Sequence, residues 1–175
     1  KKLIVGDIHG CWDEFQEILQ LASPGEGDQV IALGDIVNRG FHTPRVVEYF
    51  RNQPHARSLM GNHERSHLLA ADGQARPSLA DLIGRAQIGP ENYESVCAFM
   101  RSLPLHIVLP EALLVHAYIE PGVPLEEQSP SMRVGMPEAQ HQLERDYDGP
   151  WYRFYDGTQP LIVGHKDYTR DGKPM

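Results

Sequence analysis

This sequence predicts an α/β fold with a largely parallel sheet in its first half, and three observations predict it. Short β-branched runs alternate with segments of helical period between residues 2 and 71. The β-α-β-α-β-α rhythm is that of parallel strands joined through helices. Polar residues able to hold a metal follow strand after strand, and open α/β sheets place ligand sites outside the carboxyl ends of their strands.

The first run, "KLIVGD" (2–7), is a strand broken by Gly6. In "CWDEFQEILQLA" (11–22) Trp12, Phe15, Ile18, Leu19 and Ala22 recur at helical spacing. "QVIALGD" (29–35) is a second strand, and "TPRVVEYFRNQ" (43–53) a second helix with Thr43 as N-cap and Pro44 in its first turn. "ARSLMGN" (56–62) is a third strand, followed by a helix through "ERSHLLAA". Beyond it, 78–86 and 91–103 read as helices and 105–117 as a hairpin around a Pro-Glu turn. Residues 118–150 are rich in Pro, Gly, Glu and Gln, with one helix over 137–146. They read as a surface insertion over a site. "QPLIVGH" (159–165) is a last apolar strand, and "KDYTRDGKPM" a strand, an Asp-Gly turn and the start of a return strand. The chain is therefore expected to stop short of its natural C-terminal strands.

Length and composition suit one soluble domain over 1–175, with 41% apolar and 23% charged residues. Segments 72–92 and 118–158 are expected to carry substrate specificity. The formal net charge of -8 argues against broad attraction to nucleic acid or anionic membrane. Cys11 and Cys97 are far apart and in no C-x-x-C pair, which suits a reducing compartment. No apolar run approaches membrane-spanning length and the chain opens directly on a strand, so a cytoplasmic protein is expected. Nothing in the sequence bears on oligomeric state.

Asp7 and His9 follow "LIV", Asp35 follows "VIAL", Asn62 and His63 follow "SLM", His116 follows "ALLV" and His165 follows "LIV". A lone Gly-Asp is most often a turn with a helix cap. Five strand ends choosing metal-ligand chemistry together need another explanation. Carboxylate, imidazole and amide donors in one set suit Mn, Fe or Zn better than Ca or Mg. His42, His55, His67, His106 and His141 do not share that position and read as surface or structural.

Residues 63–67, "HERSH", also match the zinc signature in which two helical histidines hold the metal and the glutamate is the base. That reading needs His63 in mid-helix, whereas Gly61 and Asn62 place it at a helix start. It also leaves the other four strand ends unexplained.

Taken in order, "GDIHG" (6–10), "GDIVNRG" (34–40), "GNHE" (61–64), "VHA" (115–117) and "VGH" (163–165) resemble the motifs of the calcineurin-like metallophosphoesterases. The branch they resemble contains serine/threonine protein phosphatases and bacterial dinucleoside-tetraphosphate hydrolases. The resemblance implies two mixed β-sheets sandwiched between helices, with a dinuclear metal centre. It implies that Asp7 and His9 bind the first of two divalent ions, most simply Mn, and that Asp35 bridges both. Asn62, His116 and His165 would complete the second. Lys166 and Asp167 stand where other branches continue as Gly-His-x-His, which favours a protein-phosphatase-like reading.

The same resemblance implies hydrolysis of phosphate esters or anhydrides by in-line attack of a metal-bridging hydroxide. Arg39 would hold phosphate oxygens and His63 would protonate the leaving group. Arg153, in "WYRFYDG", is a candidate second phosphate contact. The chain departs from the phosphatase pattern at Asn38, where an Asp normally pairs with the histidine, and at Met60, where an Arg is usual. The main expectation is a protein-phosphatase-like phosphoesterase; both departures weaken a phosphorylated protein as substrate and keep a dinucleoside tetraphosphate as the alternative. A third possibility is a catalytically weak, metal-dependent binding protein.

Overall fold

A computed structural model describes residues 1–167, 169–170 and 173–174. Strands β1 (Lys2–Val5), β2 (Gln29–Ala32) and β3 (Ala56–Ser58) form one sheet in that order, parallel throughout. Helices α1 (Trp12–Ala22) and α2 (Thr43–Asn52) make its crossovers, and α3 (Asn62–Ala71) leaves its last strand. A second sheet has the order β4 (His106–Val108), β5 (Leu113–Val115), β6 (Leu161–Val163). It is mixed, because β4–β5 is the antiparallel Pro-Glu hairpin while β6 returns parallel to β5. So the mixed character implied by the resemblance belongs to the second sheet, and the first is parallel as its β-α rhythm predicts. Helices α4 (Leu79–Ile88) and α5 (Pro90–Arg101) stand between the sheets in sequence, and α6 (Pro130–Val134) and α7 (Pro137–Asp146) lie between β5 and β6.

The period-two alternation of the strands builds four layers. Ile31, Leu33 and Leu59 of the first sheet side meet Ile107, Leu109 and Leu114 of the second in one apolar cluster, so the sheets pack face to face. Val30 and Ala32 point the other way, into a cluster with Phe15, Val46, Phe50, Leu68, Val96 and Met100 from the helices. Leu113 and Val115 likewise face Met132, Ala139, Leu143 and Trp151. The order is helices, sheet, sheet, helices.

Several boundaries differ from expectation. β2 and β3 end at Ala32 and Ser58, earlier than predicted, because the residues after them leave the sheets to form ligand loops. The N-cap position of α2 is His42, not Thr43, since the Thr43 hydroxyl instead accepts a hydrogen bond from the Asn38 backbone N–H at 3.2 Å. Helix α6 has only five residues, too few for periodicity to show in a Pro- and Gly-rich stretch. At the C-terminus Thr169–Arg170 pair antiparallel with Lys173–Pro174, and the predicted Asp-Gly turn lies outside the described residues.

Where the two sheets come closest to the site, Gly34 has φ +108°, and a Cβ there would meet the Gly61 nitrogen and His116 Nδ1, each at 2.8 Å. Gly34→Ala should cost about 1–3 kcal/mol, from left-handed strain and overpacking together. Urea denaturation measures it, and an unchanged midpoint would show that the two loops can part.

Candidate metal centre

Six non-glycine residues among those described have positive φ, and five of them are His9, Asp35, Asn38, Arg39 and His165. Such backbone is costly and persists only where surrounding structure over-determines it. Here the loops after β1 and β2 brace each other. The Ile8 and His9 N–H groups donate to the Asp35 carbonyl, and the Gly40 N–H donates to the His9 carbonyl. In the second sheet the Gly164 N–H donates to the His116 carbonyl, and the His165 N–H donates to Asp7 Oδ1 at 3.0 Å, joining the two sheets.

Asp7, His9, Asp35 and His116 each have one side-chain atom engaged by the scaffold and one turned toward the other candidate ligands. His9 Nδ1 donates to the Val37 carbonyl at 3.0 Å, and His116 Nδ1 to that of Leu33 at 2.8 Å. Both Nε2 atoms are thereby left without a proton. Buried His9 Nε2 has no hydrogen-bond partner among the described residues, with Asp35 Oδ2 at 3.7 Å and Asp7 Oδ2 at 3.9 Å. Asp35 Oδ1 accepts from the His63 N–H at 3.0 Å, while its Oδ2 lies 3.6 Å from His116 Nε2. Asn62 Oδ1 sits 3.1 Å from His116 Nε2 and 3.0 Å from His165 Nδ1. Metal bonds of about 2.0–2.2 Å would leave neighbouring donors roughly 3–3.5 Å apart, so the donor set fits divalent ions with little movement. Asp35 belongs both to a group with His9 and His63 and to one with His116 and His165, as the resemblance implies for a residue shared by two ions.

The electrostatics also call for cations. Burial, followed by the charges of His9 and Arg39, holds His63 down to about 4, and burial and His116 do the same for His165. Both are neutral near pH 7. Burial pushes Asp35 up to about 7, with Asp7 adding to the effect against a backbone hydrogen bond from His63. An inward carboxylate that resists ionising alone is stabilised by a neighbouring positive ion.

Behind the ligands lies a residue that the strand-end pattern misses. The fully buried Glu64 carboxylate accepts from the backbone N–H groups of Asp35 (2.9 Å), Ile36 (2.9 Å), Val37 (3.2 Å) and Gly61 (2.8 Å). In "HERSH", then, the glutamate is a backbone clamp. His67 is buried, with Nε2 donating to Asn38 Oδ1 at 2.8 Å and Nδ1 accepting from the Tyr93 hydroxyl at 3.0 Å. Neither ring nitrogen of His67 is available to a metal, and the zinc-protease reading ends there.

At the mouth, Arg39 Nη2 lies 3.2 Å from His63 Nε2, and Asn38 Nδ2 lies 3.0 Å from His63 Nδ1. Arg39 is exposed and His63 half-buried.

A family model described as calcineurin-like phosphoesterase matches residues 1–162. The chain belongs to that family. Among curated relatives, the symmetrical bis(5'-nucleosyl)-tetraphosphatase of Shewanella frigidimarina (strain NCIMB 400) is 35% identical over 122 residues, 67% of this chain and 44% of that protein. The protein of the same name from Acidovorax ebreus (strain TPSY) is 36% identical over 130 residues, 70% of this chain and 46% of its own. The chain thus spans less than half the length of these relatives. A crystal structure provisionally named a diadenosine tetraphosphatase superposes with TM-score 0.75 and 29% identity, covering 94% of this chain and 74% of that one. A protein serine/threonine phosphatase from Saccharomyces cerevisiae shares the fold at TM-score 0.55 and 16% identity, covering 88% and 47%.

Set in this calcineurin-like phosphoesterase fold, all six sequence-predicted ligands meet at one edge with His63, Arg39 and Asn38. Arg153 is different. It lies exposed on a 3-10 turn, Trp151–Phe154, and none of the contacts described at the centre involves it. That turn reaches the site only through packing, as Trp151 meets Tyr118 (5.8 Å) and Tyr118 meets the His165 ring (5.5 Å).

Mn2+ at a hundredfold excess over its Kd should add about 2.7 kcal/mol of stability. For a chain of this size that raises Tm by roughly 5–10 °C. Asp35→Asn should abolish the rise without lowering metal-free stability, since it removes a carboxylate that burial disfavours. Glu64→Ala should cost the metal-free protein about 3 kcal/mol or more, because four buried N–H groups lose their acceptor. Thermal scans with and without chelator separate the two, and equal loss in both variants would refute the division of roles.

Proposed function

We propose that this chain is the metal-dependent hydrolase of a dinucleoside tetraphosphate, releasing nucleoside diphosphate. The two metals are most simply Mn, with Fe or Zn as alternatives for this imidazole, carboxylate and amide set. The observation that carries the choice of substrate is the Asn38 amide beside His63, in place of a carboxylate. An amide orients an imidazole but adds no charge to hold it protonated, and His63 is neutral at pH 7. A neutral imidazole is a weak proton donor. It suffices for a phosphoanhydride, whose diphosphate leaving group needs little help, and not for the alkoxide of a phosphoserine. The shared likeness to proteins named tetraphosphatases supports the same substrate over a phosphoprotein.

Two divalent ions bound at the centre would supply the positive charge that ionises water and neutralises phosphate in an in-line displacement. The residues of the chain do the rest. On the open side Arg39 Nη2 donates toward His63 Nε2 at 3.2 Å, and a phosphate oxygen arriving there would replace that contact by accepting from both side chains. Arg39 holds the non-bridging oxygens through its planar fork. His63 flanks the ligand cluster, its Nε2 4.0 Å from Asp35 Oδ2, and would donate a hydrogen bond to the bridging oxygen, the diphosphate departing as its anion without taking the proton. Unbridged Cys11 and Cys97 suit a reducing, cytoplasmic setting for a nucleotide substrate.

With Mn2+ present, a dinucleoside tetraphosphate should be cleaved to nucleoside diphosphate. A phosphoserine peptide, which depends on acid help worth about 10²–10⁴-fold, should react at least a hundredfold more slowly. Chromatography of nucleotide products and phosphate release from the peptide give the two rates. A faster peptide would return the protein-phosphatase-like reading, and no hydrolysis of either would favour a binding protein.

A further inference from the structure

Helix α4 lies in the stretch 72–92 that the sequence suggests for specificity, yet it faces the reaction site from behind. Three of its residues brace the Asn38–Gly40 loop. Asp81 Oδ1 accepts from Asn38 Nδ2 at 2.9 Å, Gln87 Nε2 donates to the Gly40 carbonyl at 3.0 Å, and Gly84 leaves room for Asn38, since a Cβ there would meet Asn38 Oδ1 at 2.3 Å. Asp81 is 2% exposed and carries no cation partner among the described residues beyond neutral His67 at 3.8 Å. Its Oδ2 is fully engaged, accepting from Ser66 Oγ (2.7 Å), Ser78 Oγ (2.7 Å) and the Ser78 N–H (2.8 Å). Burial alone would raise its pKa, but the bonds from Ser66, Ser78 and Asn38 outweigh it and hold Asp81 ionised.

We infer that Asp81 is a positioning residue: by accepting from Asn38 it fixes which end of that amide faces His63, and so fixes the proton of His63 on Nε2, toward the leaving group. The logic is a count of donors. A carboxylate only accepts, so the Asn38 group facing Asp81 must be its NH2, which leaves Oδ1 to accept from His67 Nε2 at 2.8 Å. The second N–H of the same NH2 faces His63 Nδ1 at 3.0 Å. That nitrogen must therefore be the acceptor, and the single proton of a neutral imidazole sits on Nε2. Arg39 Nη2 also donates toward His63 Nε2 at 3.2 Å, and a neutral ring cannot accept at both nitrogens. Asn38 is buried and held by Asp81 and His67, whereas Arg39 is exposed and free to turn to a phosphate, so the fixed donor decides the tautomer. The same assignment keeps His63 from serving as a metal ligand through Nε2, although it lies 4.0 Å from Asp35 Oδ2.

A plain capping role would account for part of this, because Ser78 and Asp81 form a capping box at the start of α4. Capping explains the bonds to Ser78. It does not explain the bond to Asn38 or the one to Ser66 on α3.

The inference rests on the hydrolytic reading of the site but not on which nucleotide it cleaves, and its main readout needs no substrate. Long-range 1H–15N correlation spectra of the Zn2+-loaded protein, with His63 assigned by His63→Gln, should show Nδ1 unprotonated and Nε2 protonated. Asp81→Ala should shift both nitrogens toward averaged values, whereas Ser78→Ala, which removes the cap and one hydroxyl bond to Oδ2 but keeps the Asp81–Asn38 bond, should lower stability and leave them in place. On phosphate monoesters Asp81→Ala should lower kcat about tenfold more for alkyl than for nitrophenyl leaving groups, with KM unchanged. The exchange Asn38→Asp with Asp81→Asn keeps the volume if the alanine variant fails to fold, and it should move the His63 proton to Nδ1. A wild-type His63 protonated on Nδ1 overturns the inference. So does a folded Asp81→Ala, or the exchange variant, with the wild-type His63 spectrum. Failure to cleave any nucleotide would overturn the proposed substrate, while the spectra alone still decide the role of Asp81.

Discussion

Four backbone N–H groups ending on one buried carboxylate hold this site in shape. Glu64 gathers Gly61 from the loop after β3 with Asp35, Ile36 and Val37 from the loop after β2. Those loops carry the candidate ligands Asp35 and Asn62, the candidate donor His63 and, just beyond, Asn38 and Arg39. Their left-handed backbone at Asp35, Asn38 and Arg39 could not persist in a free loop. Burial and the Asp35 charge push Glu64 up to about 7 against the bonds it receives. The two carboxylates therefore repel each other, and positive charge at the centre would relieve both.

Much of the candidate site is legible in the sequence because its ligands follow strands, and strand ends converge in an α/β sheet by geometry alone. Asp7, His9, Asp35, Asn62, His116 and His165 stand out that way. Glu64 and Asp81 do not, for a shared reason. Each looks like a familiar local motif, a zinc-protease base in "HERSH" and a helix cap in "SLAD", and each acts across the fold on partners 15 to 43 residues away. The cap expected at Thr43 fails for the converse reason, since its hydroxyl serves Asn38 and not the helix. The layers of the fold are legible from period-two alternation, whereas where each strand stops is not, because departure from the sheet is set by the ligands.

Asn38 gives the site its chemical character. One amide receives His67, donates to Asp81 and faces His63, so three polar side chains from α3 and α4 share a single planar group. A carboxylate at this position would face Asp81 as a like charge and would invert the tautomer of the imidazole. The departure from the protein-phosphatase motif and the buried aspartate behind it belong together as one unit.

The hydrogen bond from the His165 N–H to Asp7 Oδ1 spans the two sheets, and the ligand set straddles them in the same way. Asp7, His9, Asp35 and Asn62 come from one layer, His116 and His165 from the other. During folding neither sheet alone can assemble the centre, and His165 lies 158 residues from its Asp7 partner, so loop closure delays their meeting. Metal capture would then follow docking of the layers, and a bound pair of ions would act as a rivet against their separation.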